Sequence, residues 1–336
     1  MFDKNIDFLA IGDITTDAFI RLKEAKVHCK INDEDCEISM RFGDKVPFEY
    51  VKIVKGVGNS ANAAVSIARL GMRSDLRSAL MTQVGADENG KDCLANLVKE
   101  KVDTRYAKTH KGLSTNYHFV LWYESDRTIL INHTEFPYKF PEIRKNPKWI
   151  YLSSLSSNSK DYHKEISDYL NKNPDVKLAF QPGTFQMKLG IKDLKDIYKR
   201  TEVFICNFEE SQRILHTDSR DIKVLLSEMH ANGPKIVIIT DGPKGAYMLD
   251  GEHFYFMPIY PDPKPPVERT GCGDAFASTF VGAMMLGKSP LEALTWAPVN
   301  PMSVVQYVGA QEGLLDKESI EWHLKNAPED YRPREI

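Results

Sequence analysis

From about residue 148 onward, short apolar runs alternate with helix-like segments. Four of these runs, WIYLSSL, VKLAFQPG, VFICNFEE and KIVIITDG, end in a polar or glycine-bearing turn. This alternation predicts a parallel sheet that is covered by helices on both faces. Ligands bind at the carboxyl ends of the strands in such sheets. The polar residues that follow the strands are therefore candidates for a functional site: Gln181, Asn207, Glu210, Thr240 and Asp241.

The N-terminal third of the chain has a different pattern. Its first apolar run, residues 6–11, predicts one more buried strand. The polar stretch that follows contains alternating pieces such as FEYVKIV, which are typical of antiparallel strands with one covered face. Later, two apolar runs flank a polar turn at residues 124–127, which predicts a hairpin. We interpret the two β-rich regions, about 15–56 and 112–135, as one small lid sheet attached to a single α/β domain that spans residues 1–336.

Composition and charge exclude several classes of protein. The 336 residues carry a net charge of −3, so the chain has no basic field to attract nucleic acid or an anionic membrane. It contains no apolar run of transmembrane length, and its start does not resemble a signal peptide. The five cysteines are scattered without a C-x-x-C pair, and the nine histidines lack metal-binding spacings. We therefore expect a cytoplasmic protein with reduced thiols.

A glycine-rich turn near the C-terminus carries the clearest chemical signal. It reads Glu268-Arg269-Thr270-Gly271-Cys272-Gly273-Asp274 and leads into a helix-compatible segment, AFASTFVGAMML. Glycines let a phosphate approach the free N–H groups of a helix N-terminus, which form an anion hole there. Asp274 lies at the same place, where it is either the N-cap of the helix or a general base.

This turn resembles the C-terminal motif of the ribokinase-like, or pfkB, carbohydrate kinase family, which commonly reads D-T-x-G-A-G-D. Five further segments resemble family elements in the same order, so the resemblance spans about residues 6–315. They are Asp17 after the first strand, Gly58-Asn59-x-x-Asn62-x-Ala64, the lid residues Asp126-Arg127-Thr128, Asn207-Phe208-Glu209-Glu210, and Thr240-Asp241-Gly242-x-x-Gly245. The resemblance implies a three-layer α/β sandwich with a mostly parallel sheet and a small lid, and an ATP-dependent kinase acting on a hydroxyl.

The resemblance also implies a role for each matching residue. Asp274 is implied as the base, and the amides of Gly271, Cys272 and Gly273 as the anion hole. The residues implied to bind the nucleotide are Asn207, Thr240, Gly242, Gly245 and Thr270, and those implied to bind the acceptor are Asp17, Gly58, Asn59 and Asn62. Glu210 is implied to hold Mg²⁺ through water. Partners are therefore ATP and a small polyol, and the lid permits a homodimer.

Three departures from the family pattern leave parts of this interpretation open. Glu268 replaces an aspartate that often helps to bind potassium in the family, which argues against activation by a monovalent cation. Val57 stands where a glycine is usual. Gln181 lies where relatives often carry Asp-x-Asn, so that the acceptor is either a sugar, which we favour slightly, or a nucleoside.

Other interpretations of the same residues are possible. Asn207 and Glu210 fit a helix capping box, Cys272 fits a small loop residue better than a nucleophile, and Arg127 is expected to stabilise the lid hairpin. Residues 56–61 fit the G-x-G-x-x-A pattern of a dinucleotide-binding oxidoreductase. A third alternative is a non-catalytic protein that binds nucleotide or sugar on the same fold.

Overall fold

The structure of the protein is a computed structural model that describes residues 5–28, 36–72, 76–124 and 126–336. Its strands are β1 (Phe8–Ile11), β2 (Thr15–Leu22), β3 (Lys26–His28), β4 (Glu37–Ser39), β5 (Phe48–Val57), β6 (Ser78–Gly85), β7 (Ala107–His110), β8 (Asn116–Tyr123), β9 (Asp126–Leu130), β10 (Trp149–Leu152), β11 (Lys177–Phe180), β12 (Thr201–Asn207), β13 (Ile236–Thr240), β14 (Ala246–Leu249), β15 (Phe254–Met257) and β16 (Arg334–Glu335).

The helices are α1 (Asn59–Leu70), α2 (Glu88–Lys99), α3 (Lys160–Lys172), α4 (Thr184–Asp193), α5 (Lys195–Arg200), α6 (Phe208–Leu215), α7 (Ile222–Ala231), α8 (Cys272–Met285), α9 (Pro290–Trp296), α10 (Val299–Val304) and α11 (Lys317–Lys325). None of the helices in the described ranges combines the length and apolar character needed to cross a bilayer.

The central sheet has ten strands in the order β16-β15-β14-β13-β12-β11-β10-β1-β6-β7. The strands from β13 to β7 are parallel, and β14, β15 and β16 add an antiparallel edge. The prediction of a mostly parallel sheet is therefore confirmed. The carboxyl ends of the parallel strands share one edge of the sheet, where the polar residues after each strand meet.

Two separate cores cover the two faces of this sheet. Successive side chains of a strand point to opposite faces, and β1 shows this directly. Phe8 and Ala10 belong to the core that includes residues of α1 and α8, whereas Leu9 and Ile11 belong to the core that includes residues of α3 and α7. All four side chains are almost fully buried. The α/β sandwich that the alternation of apolar runs predicted is confirmed.

The lid sheet consists of four strands in the order β5-β2-β8-β9. Strand β2 is antiparallel to β5 and parallel to β8, and β8 and β9 form the expected hairpin. The G-x-G-x-x-A segment of residues 56–61 follows β5, an antiparallel lid strand. The dinucleotide-binding alternative is wrong, because that fold needs the motif after a parallel core strand.

One cysteine differs from the expectation of reduced thiols. Cys36 is disulfide-bonded, whereas Cys93, Cys206 and Cys272 are free. The expectation is therefore wrong for Cys36, which directly precedes β4 in the region that the sequence predicted to belong to the lid.

Candidate active site

The carboxylate of Asp274 is buried at the first turn of α8, with only 6% of the residue exposed. It accepts hydrogen bonds from three side-chain amides. Asn59 Nδ2 lies 2.7 Å from Oδ1, Asn62 Nδ2 lies 2.8 Å from Oδ2, and Gln181 Nε2 lies 3.3 Å from Oδ1. The carboxylate makes no capping bond to the backbone of α8. The N-cap interpretation of Asp274 is therefore wrong.

Burial and hydrogen bonding act in opposite directions on this carboxylate. Burial raises the pKa of Asp274, because it disfavours the charged form. The three amide donors stabilise the charge and lower the pKa, and the nearby charge of Asp17 raises it. The net pKa lies above the ordinary value for aspartate. A group of this kind accepts a proton more readily than an exposed carboxylate does.

Helix α1 brings its two asparagines to Asp274 because α1 and α8 pack closely. Gly58 precedes α1 with a φ of 111°, and a Cβ there would lie 2.8 Å from the carbonyl oxygen of Asp13. Asn59 begins the helix, and Asn62 follows three residues later on the same face. Further along, a Cβ on Gly282 would lie 2.6 Å from Leu70 Cδ1, so a larger residue there would require the side chain of Leu70 to shift.

The turn at the start of α8 contains Gly271, Cys272 and Gly273, the residues predicted to form the anion hole, and we keep that name for it. Gly271 adopts a left-handed conformation with a φ of 85°, and a Cβ there would lie 2.3 Å from the Cβ of Ala310. Both facts require glycine at this position. The N–H groups of the first turn of α8 follow directly, beside Asp274. Burial raises the pKa of the Cys272 thiol to about 12, so the thiol stays protonated at neutral pH and is a poor nucleophile.

A cavity of about 550 Å³ opens on one side of the anion hole. Its wall includes four of the residues predicted to bind nucleotide, together with two residues of the anion hole and a lid residue: Asn207, Thr240, Gly242, Gly245, Cys272, Gly273 and Arg127. Its volume lies in the range of small-molecule sites. Thr270, the fifth predicted residue, instead donates from its N and Oγ1 to Glu268 Oε1 at 2.8 and 2.6 Å.

Asn207 and Glu210 form a reciprocal capping box at the start of α6. The side chain of Asn207 accepts from Glu210 N at 2.8 Å, and Glu210 Oε2 accepts from Asn207 N at 2.9 Å. Burial raises the pKa of Glu210, and the charge of Asp274 contributes in the same direction. In the part of the chain that the structure describes, no group of three or more His, Cys, Asp or Glu side chains is arranged to hold a metal ion.

Asp17, which was predicted to bind the acceptor, lies close to two acid–imidazole pairs that the sequence analysis missed, one of them its own. His118 Nδ1 lies 3.2 Å from Asp17 Oδ1, and His133 Nδ1 lies 3.3 Å from Asp13 Oδ2. The two imidazole rings stack with their centroids 5.0 Å apart. His118 could have been recognised as a partner of Asp17 only from the pairing of β2 with β8, because that pairing places the two residues opposite each other. Asp13 lies two residues after the end of β1, and the hydroxyl of Tyr138 donates to it at 2.7 Å.

Gln181 belongs to the site, although it departs from the family pattern. Besides donating to Asp274, it accepts a hydrogen bond from the hydroxyl of Tyr151, which is buried beneath the site. The amide therefore presents its nitrogen to the carboxylate and its oxygen to the phenol. It supplies the third hydrogen-bond donor to the carboxylate of Asp274.

Arg127 links the lid to the anion hole. Its Nη1 lies 3.4 Å from Asp126 Oδ1 within the hairpin, and its Nε lies 3.6 Å from Glu268 Oε1. The side chain of Glu268 is fully buried, and its Oε2 has no hydrogen-bond partner among the described residues. The expectation that Arg127 only stabilises the hairpin is therefore incomplete, because the guanidinium also faces the buried carboxylate.

The site combines a buried carboxylate with a raised pKa, an anion hole and a nucleotide-sized cavity on a fold that binds ligands at strand ends. These features define a phosphotransferase that acts on an alcohol group. The sequence profile of the pfkB family carbohydrate kinases matches residues 28–317. The chain belongs to this family, and the fold and the enzyme class that the sequence predicted are confirmed.

Individual relatives are distant. An uncharacterized sugar kinase from Archaeoglobus fulgidus is 25% identical over 259 residues, which cover 74% of this chain and 98% of the relative. The ATP-dependent 6-phosphofructokinase of Thermoanaerobacterium thermosaccharolyticum is 25% identical over 95% of this chain and 94% of its own. The structure of Arabidopsis thaliana ribokinase complexed with ribose and ATP has the same fold, with a TM-score of 0.76, 20% identity and coverage of 96% and 99%.

Proposed function

We propose that this protein transfers the γ-phosphoryl group of ATP to a hydroxyl of an unphosphorylated sugar or sugar-like polyol. The observation that carries the proposal is the place of the Asp274 carboxylate. It lies between the anion hole of α8, which faces the nucleotide-sized cavity, and the amides of Asn59 and Asn62. A hydroxyl bound there lies between a base and a phosphate site.

The reaction follows from this arrangement. Asp274 takes the proton of the acceptor hydroxyl as the hydroxyl oxygen attacks the γ-phosphorus. The new O–P bond forms while the bond to the β-phosphate oxygen breaks, and ADP leaves with that electron pair. The amides of Gly271, Cys272 and Gly273 stabilise the negative charge on the transferred group. Most of the rate enhancement then comes from the positioning of the two substrates, because the protein forms no covalent bond to them during phosphoryl transfer.

The side-chain oxygen atoms of Asn207 and Glu210 suit Mg²⁺, which prefers oxygen ligands and keeps several of its waters. Asn207 and Glu210 would hold it, with Glu210 acting through water because one carboxylate oxygen already accepts from the backbone of Asn207. A magnesium ion bound there supplies positive charge that offsets the charge of the phosphates.

The charges around the acceptor side favour an unphosphorylated acceptor. Asp13, Asp17 and Asp274 each bring a carboxylate, and no lysine or arginine of the described residues lies at ion-pair distance from them. A second phosphate placed against these carboxylates would be repelled by their negative charge. Carboxylates and amides instead match the donors and acceptors of a polyol.

A nucleoside is the second candidate acceptor. His133 stacks on His118, and its ring lies edge-on to Phe185 with the centroids 5.6 Å apart. The first of these rings, His118, pairs with Asp17. A nucleoside whose ribose is held by Asp17 would therefore bring its base close to an aromatic surface. A panel of acceptors separates the two candidates.

We expect one acceptor in a panel of sugars, sugar alcohols and nucleosides to stimulate ADP release from Mg·ATP. Asp274→Asn should lower kcat by about 10²–10⁴-fold, the usual contribution of a general base, with ATP binding retained. The measurement is a coupled ADP-release assay together with calorimetric titration of ATP. Asp161→Asn is the matched control, because Asp161 also lies in the first turn of a helix but on α3.

Two outcomes would contradict this proposal. If ATP binds and none of the acceptors stimulates ADP release, the non-catalytic binding protein becomes the better account. If Asp274→Asn retains the wild-type kcat, Asp274 is not the base.

We further propose that the guanidinium of Arg127 provides the positive charge that the buried carboxylate of Glu268 needs. A charge buried without a partner is strongly unfavourable, and arginine from the lid compensates it here. A free monovalent cation is then not required for activity.

Turnover should be the same in potassium, sodium and choline chloride at one ionic strength. Arg127→Gln should lower kcat, because the carboxylate next to the anion hole loses its cation. Arg105→Gln serves as the control, since Arg105 pairs with Asp103 away from the site. Strong stimulation of the wild-type enzyme by potassium alone would show that Glu268 binds an ion instead.

The outer face of the lid sheet presents an apolar row that crosses all four strands. Ile53, Ala18, Phe119 and Leu130 are direct neighbours in this row. Ile53, Phe119 and Leu130 are 53%, 46% and 52% exposed. We propose that a second copy of the chain covers this face. A single continuous apolar face can pair with itself about a two-fold axis.

Light scattering at micromolar concentration should give the mass of a dimer for the wild-type protein. Phe119→Lys should give a monomer, because it places charge in the centre of the apolar row. Val98→Lys, on the exposed face of α2, is the control for adding charge at an exposed apolar residue. A wild-type monomer, or a Phe119→Lys dimer, would refute the proposed interface.

A further inference from the structure

The side chain of Gln311 is buried and hydrogen-bonded at both ends of its amide. Its Nε2 donates to the carbonyl oxygen of Gly56 at 2.9 Å and to Asn62 Oδ1 at 3.0 Å. Its Oε1 accepts from Asn96 Nδ2 at 3.2 Å. Only 5% of the residue is exposed. Gln311 therefore joins the end of lid strand β5, helix α2 and the acceptor helix α1.

The side chains of Asn96, Gln311 and Asn62 form a hydrogen-bonded chain of amides, and the carbonyl of Gly56 fixes the direction of its hydrogen bonds. A carbonyl oxygen only accepts, so Gln311 must present its NH₂ group there. The same NH₂ group faces Asn62, which must therefore present its oxygen to Gln311. The NH₂ group of Asn62 then points the other way, where it donates to Asp274 Oδ2 at 2.8 Å. Asn96 thus donates to Gln311, Gln311 donates to Asn62, and Asn62 donates to Asp274, which only accepts.

We propose that Gln311 is a positioning residue for the reaction, which holds Asn62 in the one orientation that donates a hydrogen bond to Asp274. This proposal rests on the proposed role of Asp274 as the base. With the amide of Asn62 reversed, its oxygen would face the carboxylate of Asp274 and repel it. The ionised carboxylate of Asp274 itself favours the amide nitrogen of Asn62, but a protonated carboxyl group could donate to the amide oxygen instead. Gln311 favours the donating orientation of Asn62 in both protonation states of Asp274.

The segment that carries Gln311 contacts three parts of the site. A Cβ on Gly309 would lie 3.2 Å from Val54 of lid strand β5, and Ala310 fills the space next to Gly271 of the anion hole. Gln311 reaches Asn62 on α1. One three-residue segment, residues 309–311, therefore contacts all three parts. It supports the orientation of Asn62 next to Asp274, the shape of the anion hole, and the end of lid strand β5.

The decisive variant is Gln311→Glu, which keeps the shape but removes the donor. The carboxylate faces the oxygen of Asn62, so that Asn62 turns and withdraws its donor from Asp274. Losing a donor to a charged group should raise the pKa of Asp274 by about one unit. The acidic limb of the kcat profile should move to higher pH by the same amount, because the base must be deprotonated to act. At a pH below the limb, kcat should fall about tenfold.

Gln311→Met provides a second test that introduces no buried charge. This change removes the hydrogen bond from Gln311 that fixes the orientation of the Asn62 amide, but it does not force the amide to turn. It should therefore raise the pKa of Asp274 by a smaller amount than Gln311→Glu does. Gln306→Glu and Gln306→Met are the matched controls. Gln306 also donates to a backbone carbonyl, that of Lys264 at 3.1 Å, but lies outside the chain of amides. Thermal unfolding of each variant shows whether it is folded.

Carbon-13 NMR of the aspartate carboxyl carbons measures the pKa of Asp274 without substrate, and the signal is assigned by its absence in Asp274→Asn. The proposal predicts a raised pKa in folded Gln311→Met, and in Gln311→Glu where that variant folds, with no change in the Gln306 variants. An unchanged titration of Asp274 in folded Gln311→Met would overturn it. A wild-type protein that transfers no phosphoryl group, but in which the variants still shift this titration, would instead refute the proposed function and leave the positioning role intact.

Discussion

The carboxylate of Asp274 is buried, and a buried charge is tolerated in a protein only when hydrogen-bond donors surround it. Here the donors come from three amides on different elements, Asn59 and Asn62 on α1 and Gln181 after β11. Each of these elements must therefore reach the first turn of α8. The close packing of α1 on α8 and the convergence of strand ends at one edge of the sheet meet this requirement.

The same carboxylate suits the site to the proposed function, in which a polyol hydroxyl lies beside a phosphate. Burial alone would leave Asp274 protonated over a wide range of pH, and a protonated acid is not a base. The amides oppose that effect, so the group keeps a raised pKa while it remains able to ionise. The N–H groups of α8 lie next to it, on a turn whose left-handed glycine packs against Ala310. Proton acceptor and anion hole thus share one helix end.

Local patterns predicted the fold and most of the residues that line the site. Apolar runs followed by polar turns located the parallel sheet, and the glycine-rich turn located Asp274 at the start of α8. The N-cap interpretation of Asp274 was wrong, because the local pattern shows only the helix to which the residue belongs. Its actual partners on α1 lie more than 200 positions away in the sequence.

The residues that the sequence analysis failed to assign are those whose role arises only from long-range contacts. Gln311 is distant in sequence from Asn62, and His118 meets Asp17 only because β2 pairs with β8. Arg127 was assigned to its own hairpin, although its guanidinium also reaches Glu268 on another element. Glutamine, histidine and arginine are common on surfaces and carry no local signature of such contacts. Their placement could be known only from the tertiary structure.

The measurement that tests the central claim most directly is the pH dependence of kcat at saturating Mg·ATP and acceptor. Burial raises the pKa of Asp274, so kcat should fall on an acidic limb that lies above the ordinary aspartate value of about 3.9. Replacement by asparagine removes the ionisable group, so the residual rate of Asp274→Asn should lack that limb. A wild-type rate that stays constant down to the ordinary value, or a limb that persists unchanged in Asp274→Asn, would contradict the account.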